Sequence, residues 1–306
     1  MPLTLRFLGT AASRPTVERN VSAIALVREG ETMLFDCGEG TQRQMMRYGI
    51  SLILGDIFFT HFHADHVLGV IGLMRTMQMQ ARTEPLSVWG PKGLSRFLQQ
   101  ASVFTGERLG YPITITEVEP GAPIARQGYS ILPFAAAHRG ATAVGYALIE
   151  DVRLGRFHPE LARARGVPEG PLWGDLHRGR TVTLPDGQTV DPADLVGPNR
   201  PGRRIVITGD TRPCETTVEA ARDADLLVHE ATFAEEEAPR ALETGHSTAR
   251  EAATVAQQAG VRRLILTHVS ARYSRDTSEL EREASAVFPG TIVARDGMEI
   301  EIAYSD

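Results

Sequence analysis

The chain has 306 residues, 42 % of them hydrophobic, and a formal net charge of −6. This supplies a sizeable core, with too little Gly (29) and Pro (18) for a disordered chain. No apolar run approaches the roughly 18 residues of a membrane span, and net acidity argues mildly against a nucleic-acid partner for the chain taken as a whole.

Met1 to Leu8 alternates apolar and polar residues. It lacks a basic stretch followed by an apolar one, so it does not read as a signal peptide, and a soluble cytoplasmic protein is expected. Short apolar runs then recur, each ending in a charged or metal-capable residue. Glu31 to Leu34 leads into Phe35-Asp36, Asp56 to Thr60 into His61, and Tyr129 to Ala137 into His138. Arg204 to Gly209 leads into Asp210, Leu226 to Val228 into His229-Glu230, and Arg263 to Thr267 into His268. These runs are rich in β-branched or aromatic residues and bounded by turn residues, which predicts buried strands. Between them, helices are predicted over Gly40 to Tyr48, Val67 to Ala81 and Thr248 to Ala259. The last has Thr248 and Glu251 as a capping box and Gly260 as its stop. The alternation predicts an α/β fold, with side chains distant in sequence gathering at strand ends. Ile57-Phe58-Phe59-Thr60-His61 echoes Leu264-Ile265-Leu266-Thr267-His268, which suggests two related halves facing each other.

Residues 150–203 differ in character, being dense in Pro, Gly and Arg. A short helix over Pro159 to Arg165 is stopped by Gly166. A Pro168-Glu169-Gly170-Pro171 turn follows, and then a hairpin around Pro185-Asp186-Gly187. Few of these residues read as core, so an inserted, projecting arm over 150–190 is expected within a single domain spanning 1–306. Arg153, Arg156, Arg163, Arg165, Arg178 and Arg180 make it a local concentration of planar, bidentate cations in a chain whose only lysine is Lys92. Cys37 and Cys214, the only cysteines, read as reduced, buried small hydrophobes.

His61-Phe62-His63-Ala64-Asp65-His66 places three imidazoles and a carboxylate directly after a strand. Alternate residues of an extended segment point the same way, so His61 and His63 can grip one ion. Asp65 and His66, where the chain turns into a helix, can face a second. Imidazole with carboxylate suits zinc, with manganese and iron as alternatives. His138, Asp210 and His268, each at a strand end, are the natural completion. Asp210 has two oxygens and can bridge ions about 3.5–4 Å apart, and such a pair would hold a hydroxide nucleophile. His246 is not needed as a ligand and is free to donate a proton to a leaving group. His229, with Glu230 beside it, is expected to make a core hydrogen bond or to support the ligands from behind. His158 and His177 lie in the arm.

The His61-x-His63-x-Asp65-His66 run resembles the signature of the metallo-β-lactamase fold superfamily, and the chain is similar to its ribonuclease Z family. The likeness continues through Asp36-Cys37-Gly38-Glu39-Gly40-Thr41-Gln42, Thr208-Gly209-Asp210-Thr211-Arg212-Pro213, His229-Glu230-Ala231-Thr232-Phe233, His246-Ser247-Thr248-Ala249 and Ser270-Ala271-Arg272-Tyr273. The resemblance implies a four-layer αββα sandwich and an endonuclease that removes the 3′ trailer from precursor tRNA. It implies two zinc ions, one held by His61, His63, His138 and Asp210, the other by Asp65, His66, His268 and Asp210. It further implies Asp65 as proton acceptor, His246 as helper of the leaving group and Asp36 as a steadying group. Arg272 would neutralise the scissile phosphate. Gly166-Val167-Pro168-Glu169-Gly170-Pro171-Leu172-Trp173 resembles the Gly-Pro motif of the family's tRNA-binding arm, so Gly170, Pro171 and the surrounding arginines would grip tRNA from the opposite subunit of a homodimer. No membrane and no DNA partner is expected. A small-molecule phosphodiester or ester hydrolase of the same fold is the alternative. Two departures stand out. Val17 occupies a lysine position in the loop Pro15-Thr16-Val17-Glu18-Arg19-Asn20, which the family links to discrimination at the tRNA 3′ end. Gly69-Val70-Ile71-Gly72 lacks the proline usual after the metal run.

Overall fold

The computed structural model describes residues 2–103 and 109–304. They form two compact units, one built from residues up to 126, 130–149 and those from 203 on, the other from 127–129 and 150–202. In chain order the strands of the first half are β1 (Leu3–Gly9), β2 (Ala23–Arg28), β3 (Glu31–Phe35), β4 (Asp56–Phe58), β5 (Leu86–Gly90), β6 (Ile113–Glu117), β7 (Ile124–Arg126), β8 (Tyr129–Ala136) and β9 (Ala143–Glu150). Then come β10 (Val182–Thr183), β11 (Thr189–Val190), β12 (Arg204–Ile207), β13 (Leu226–Glu230), β14 (Leu264–Thr267), β15 (Ile292–Val293) and β16 (Glu299–Glu301). The helices are α1 (Thr41–Arg47), α2 (Ala64–Val67), α3 (Val70–Met79), α4 (Leu94–Val103), α5 (Pro159–Ala164), α6 (Pro171–His177), α7 (Glu215–Ala221), α8 (Ala238–Thr244), α9 (Ala249–Ala259) and α10 (Ser278–Ser285).

The larger unit holds two seven-stranded sheets, ordered β16-β1-β2-β3-β4-β5-β6 and β15-β14-β13-β12-β9-β8-β7. Both are mixed. β3 to β6 run parallel while β16, β1, β2 and β3 pair antiparallel, and β12 to β15 run parallel with β9 antiparallel to β12. The period of two explains why the strands read as continuous apolar runs: both of their faces are covered. Leu34, Ile57 and Val88 point to a core shared with Met45 of α1, Leu73 and Met77 of α3 and Leu94 of α4. Phe35 and Phe58 point the other way and stack with centroids 5.0 Å apart, against Tyr146 of the second sheet at 5.8 and 5.3 Å. The Tyr146 hydroxyl donates to the Phe59 carbonyl at 2.7 Å, which satisfies the phenol between the sheets. On the far side Val206, Leu227 and Leu266 pack on α7, α9 and α10. Ala252, Ala253, Ala256 and Ala259 form the buried face of α9, where small side chains let the helix approach the sheet. The layers are therefore helix, sheet, sheet, helix.

The expected helix over Val67 to Ala81 is in fact two, α2 and α3, and α2 already begins at Ala64. Close backbone approach causes the break. The Gly69 N–H donates to the Cys37 carbonyl at 2.8 Å, and a Cβ on Gly69 would lie 2.0 Å from the Gly38 carbonyl oxygen. By contrast, α9 has both reciprocal bonds of the Thr248–Glu251 capping box and a left-handed Gly260 at its end.

The smaller unit contains α5, α6 and the β10–β11 hairpin. Few of its residues read as core in the sequence, yet Ala162, Val167, Leu176, Val182, Leu184, Val190 and Leu195 form a core of their own. These residues stand singly among Pro, Gly and charged neighbours, so no apolar run announced them. Pro171 opens α6, and Gly170 precedes it at φ 143°, a conformation open in practice only to glycine. Residues 150–202 hold seven arginines and eight carboxylates, so the unit is not basic in net. Arg163 pairs with Glu169 at 2.7 Å, Arg165 with Asp194 at 2.8 Å, and Arg178 and Arg180 with Asp175 at 2.8 and 3.3 Å.

The cysteines differ from each other. Cys37 is fully buried, and burial pushes its thiol up to about 12. Cys214 is half-buried, which corrects the expectation for it. Burial raises its pKa, but hydrogen bonds from Thr216 and Thr217 outweigh that and leave it below the ordinary thiol value. Iodoacetamide at neutral pH is expected to alkylate Cys214 and spare Cys37 in the native protein, as read by peptide mass spectrometry. Comparable labelling of both would contradict these environments.

Candidate metal centre

The cluster assembles at strand ends of the larger unit. β4 runs out through Phe59-Thr60 to His61, β8 to His138, β12 to Asp210 and β14 to His268. β4 and β14, the two echoed segments, lie in different sheets, each between two parallel neighbours.

Ligand-capable atoms of His61, His63, His138 and Asp210 lie within 4.8 Å of one another, as do those of Asp65, His66 and His268. Asp210 Oδ2 stands 3.6 Å from His61 Nε2 and 3.9 Å from His138 Nε2, while Oδ1 stands 3.3 Å from both His66 Nε2 and His268 Nε2. Each oxygen of Asp210 therefore faces a different group. His138 Nε2 lies 3.2 Å from His63 Nδ1, and His268 Nε2 lies 3.3 Å from Asp65 Oδ2. Zinc sits about 2.0–2.1 Å from imidazole nitrogen, so tetrahedral ligands stand about 3.3–3.4 Å apart, and these atoms, 3.2–3.9 Å apart, bracket that spacing. Two of them, His61 Nε2 and Asp210 Oδ1, are buried with no hydrogen-bond partner. Burying such lone pairs is unfavourable unless an ion occupies the space between them. The residues fit a metal cofactor.

The remaining imidazole nitrogens are fixed from behind. His61 Nδ1 lies 3.0 Å from Thr60 Oγ1, His66 Nδ1 lies 2.6 Å from Asp36 Oδ2, His138 Nδ1 lies 2.9 Å from the Gly245 carbonyl, and His268 Nδ1 lies 3.0 Å from Thr232 Oγ1. Thr60 donates through N–H and O–H to Asp36, and Thr232 donates its hydroxyl to Glu230 Oε2 at 2.8 Å. Each Nδ1 is occupied by these contacts, so Nε2 is the nitrogen left to face the cluster. His63 alone presents Nδ1.

Burial holds the His61 pKa well below the ordinary histidine value, so the ring is neutral and ready to ligate. Burial opposes the charge of Asp65 and Asp210, yet the histidines around both keep them ionised. Asp65 Oδ2 also accepts the Ser13 N–H at 2.7 Å. His246 sits beside the cluster, with Nδ1 at 2.8 Å from Glu230 Oε1 and 3.8 Å from Asp210 Oδ2. Burial lowers its pKa, but the Glu230 carboxylate overrides that and lifts it to about 9. Glu230 in turn accepts from the backbone N–H groups of Thr211 and Ser247.

His229 and Arg272 hold partners outside the ligand set. His229 turns its Nδ1 to the Glu230 carbonyl at 2.7 Å, and among the described residues it shares no hydrogen bond with the ligand side chains. The Arg272 guanidinium is exposed and pairs with Glu237. Gly170, Pro171, Arg163, Arg165 and Arg178 belong to the smaller unit. Sequence reasoning missed Thr60, Thr232, Ser13 and Gly209. A hydroxyl residue just before His61 was the only hint of Thr60. Nothing local marks Ser13, which reaches Asp65 from 52 positions away. Gly209, at φ 62°, is closed to a side chain: a Cβ would lie 2.6 Å from Thr60 Cβ and 2.9 Å from Thr60 Oγ1. Gly209→Ala is therefore expected to displace the Thr60 hydroxyl from Asp36 and His61. Metal affinity, measured by chelator competition, should fall by about 10–100-fold, the usual effect of losing an outer support. Unchanged affinity would contradict that coupling.

Several known proteins are similar to this chain. A family model described as Anti-Pycsar protein Apyc1 matches residues 3–111, and one described as Beta-lactamase superfamily domain matches residues 177–269. A protein of Gemmatimonas aurantiaca named Ribonuclease Z is 62 % identical over 100 % of this chain and 98 % of its own. One of Myxococcus xanthus with the same name is 52 % identical over 99 % of each. The crystal structure of the short form of human tRNase Z superimposes with a TM-score of 0.71 at 28 % identity, covering 98 % of this chain and 99 % of that one. With two mixed sheets, helices on both outer faces and full-length likeness of this order, the chain belongs to the ribonuclease Z family of the metallo-β-lactamase fold.

Proposed function

We propose that the chain is a zinc-dependent phosphodiesterase that removes the 3′ trailer from precursor tRNA, leaving a tRNA 3′-hydroxyl and a 5′-phosphorylated trailer. The observation that carries this reading is the full-length likeness to proteins named Ribonuclease Z, held together with a complete metal-ligand cluster. Two Zn2+ per subunit would be held by His61, His63, His138 and Asp210 and by Asp65, His66, His268 and Asp210, a donor set that manganese also suits. Such ions polarise a phosphoryl oxygen and bring the pKa of water to about 7.

The chain's own residues supply the proton traffic. Asp65, oriented by the Ser13 N–H, accepts the proton of the attacking water. His246, kept protonated by Glu230, donates to the 3′-oxygen that leaves with the tRNA. Arg272 exchanges Glu237 for the scissile phosphate, a charge-assisted bidentate contact. Gly170, Pro171, Arg163, Arg165 and Arg178 of one subunit hold tRNA for the other subunit of a homodimer. Because the unit is balanced in charge, it recognises the shape of the tRNA and local phosphates rather than acting as a general cation. A cytoplasmic location follows from the substrate. The test is incubation with trailer-bearing precursor tRNA, with and without encoded CCA, mapping both product ends. A 3′-hydroxyl on the tRNA and a 5′-phosphate on the trailer are expected; intact precursor or a 3′-phosphate would overturn the reading.

A further inference from the structure

We infer that the trailer leaves the metal centre past the loop of residues 15–20, which the family links to the tRNA 3′ end, and continues as single-stranded RNA along a groove that begins at Arg14 and ends at Arg47 and Arg295. Two adjoining hollows of the larger unit share Val17, Glu18, Ser274 and Arg275 along their common border. The first also reaches Arg14 and Ala271, the second Arg47, Tyr48 and Arg295. Together they form one trough, and its start is fixed against the metal centre. Arg14 adjoins Ser13, whose N–H is bonded to Asp65, and Ala271 adjoins Arg272.

The charge of the trough selects its occupant. Among the described residues, Arg14, Arg47 and Arg295 form no ion pair, unlike the arginines of the smaller unit that pair with Glu169, Asp194 and Asp175. Of the carboxylates that line it, Glu18 is taken by Arg275 at 3.3 Å, and Asp296 is spent on the Asn20 N–H, the Thr10 hydroxyl and the Gln44 amide. Unpaired, exposed guanidinium groups spaced along a trough suit successive phosphates. The Arg47 guanidinium lies over the Tyr48 ring, 5.4 Å from its centre, and its exposed outer plane offers a base a surface to stack on. The trough itself is preorganised. Buried Arg19 donates to Thr10 Oγ1 at 2.8 Å, to the Ala294 carbonyl at 2.6 Å and to the Ser274 carbonyl at 3.2 Å, tying both walls together.

Which half of the substrate enters depends on the proposed function, on which this step rests. The leaving 3′-oxygen belongs to the tRNA and departs on the His246 side. The phosphate stays with the trailer, on the side of Asp65, where the trough opens.

The experiment uses the metal-loaded protein and its Arg47→Glu/Arg295→Glu variant, neither position being part of the catalytic centre. Fluorescence anisotropy with a 5′-phosphorylated single-stranded RNA of about twelve nucleotides is expected to show roughly tenfold weaker binding in the variant, with a salt slope shallower by about one to two. For precursor tRNA, KM should rise roughly tenfold with a trailer of about twelve nucleotides and less than about twofold with a trailer of about two. Unchanged binding of the oligonucleotide, or an equal KM effect on both trailers, would overturn the groove. If the variant loses oligonucleotide binding while the unaltered protein cleaves neither precursor, the groove stands as an RNA site and the tRNA-processing reading falls.

Discussion

Asp210→Ala is expected to abolish turnover of precursor tRNA and of bis(p-nitrophenyl)phosphate together. Asp210 is 2 % exposed and turns one oxygen to each half of the cluster, Oδ2 toward His61 and His138, Oδ1 toward His66 and His268. Among the described residues no other carboxylate groups with both halves: Asp65 groups with His66 and His268 only. Removing Asp210 therefore strips a ligand from both proposed ions and leaves five imidazoles and Asp65 with nothing shared between the two halves. Losing the several kcal/mol that a two-ion clamp gives a transition state corresponds to a fall in kcat of the order of 10³ or more. Metal content, measured by plasma mass spectrometry, should drop below the unaltered protein's, while circular dichroism reports the fold intact. Retained turnover in this variant would end the bridging role.

Removing the smaller unit should separate the two substrates instead. The unit's core includes Val182, Leu184, Val190 and Leu195 as well as Ala162, Val167 and Leu176, so a cut confined to residues 152–178 would expose half of it. The chain enters and leaves at one place: the Arg153 N–H donates to the Arg200 carbonyl at 2.8 Å, and Gly202 abuts the Glu150 carbonyl. Replacing 152–201 by a short Gly-Ser linker therefore respects the closure. Cleavage of precursor tRNA is expected to fall by about 10² or more in kcat/KM, as phosphate contacts are lost. Hydrolysis of bis(p-nitrophenyl)phosphate should stay within about twofold, because all the proposed ligands lie outside the cut. Equal loss of both activities would count against a tRNA-binding role.

Much of this centre was legible in the sequence because one physical device produces it. A strand buried on both faces reads as an unbroken apolar run, and the residue ending the run marks a strand end. Asp36, His61, His138, Asp210 and His268 all announce themselves in this way. What stayed hidden depends on approach rather than pattern. The break between α2 and α3 arises because Gly69 must touch Gly38, and neither glycine looks unusual alone. Ser13 meets Asp65, and Arg19 ties Thr10 to Ala294, across distances no local window spans. The smaller unit misled in both directions. Its core residues stand singly, so few of them read as core. Its arginines looked like a cationic element, although the carboxylates that neutralise them are interleaved in the same segment. Among the described residues Arg14, Arg47 and Arg295 line the trough without an ion pair, scattered in sequence and gathered only by the fold.

The most direct test of the two-ion centre is anomalous diffraction at the zinc edge from crystals grown with the metal-loaded protein. Two peaks about 3.5–4 Å apart are expected, one against His61, His63 and His138, the other against Asp65, His66 and His268, with Asp210 between them. A single peak, or a pair that does not share Asp210, would contradict the account.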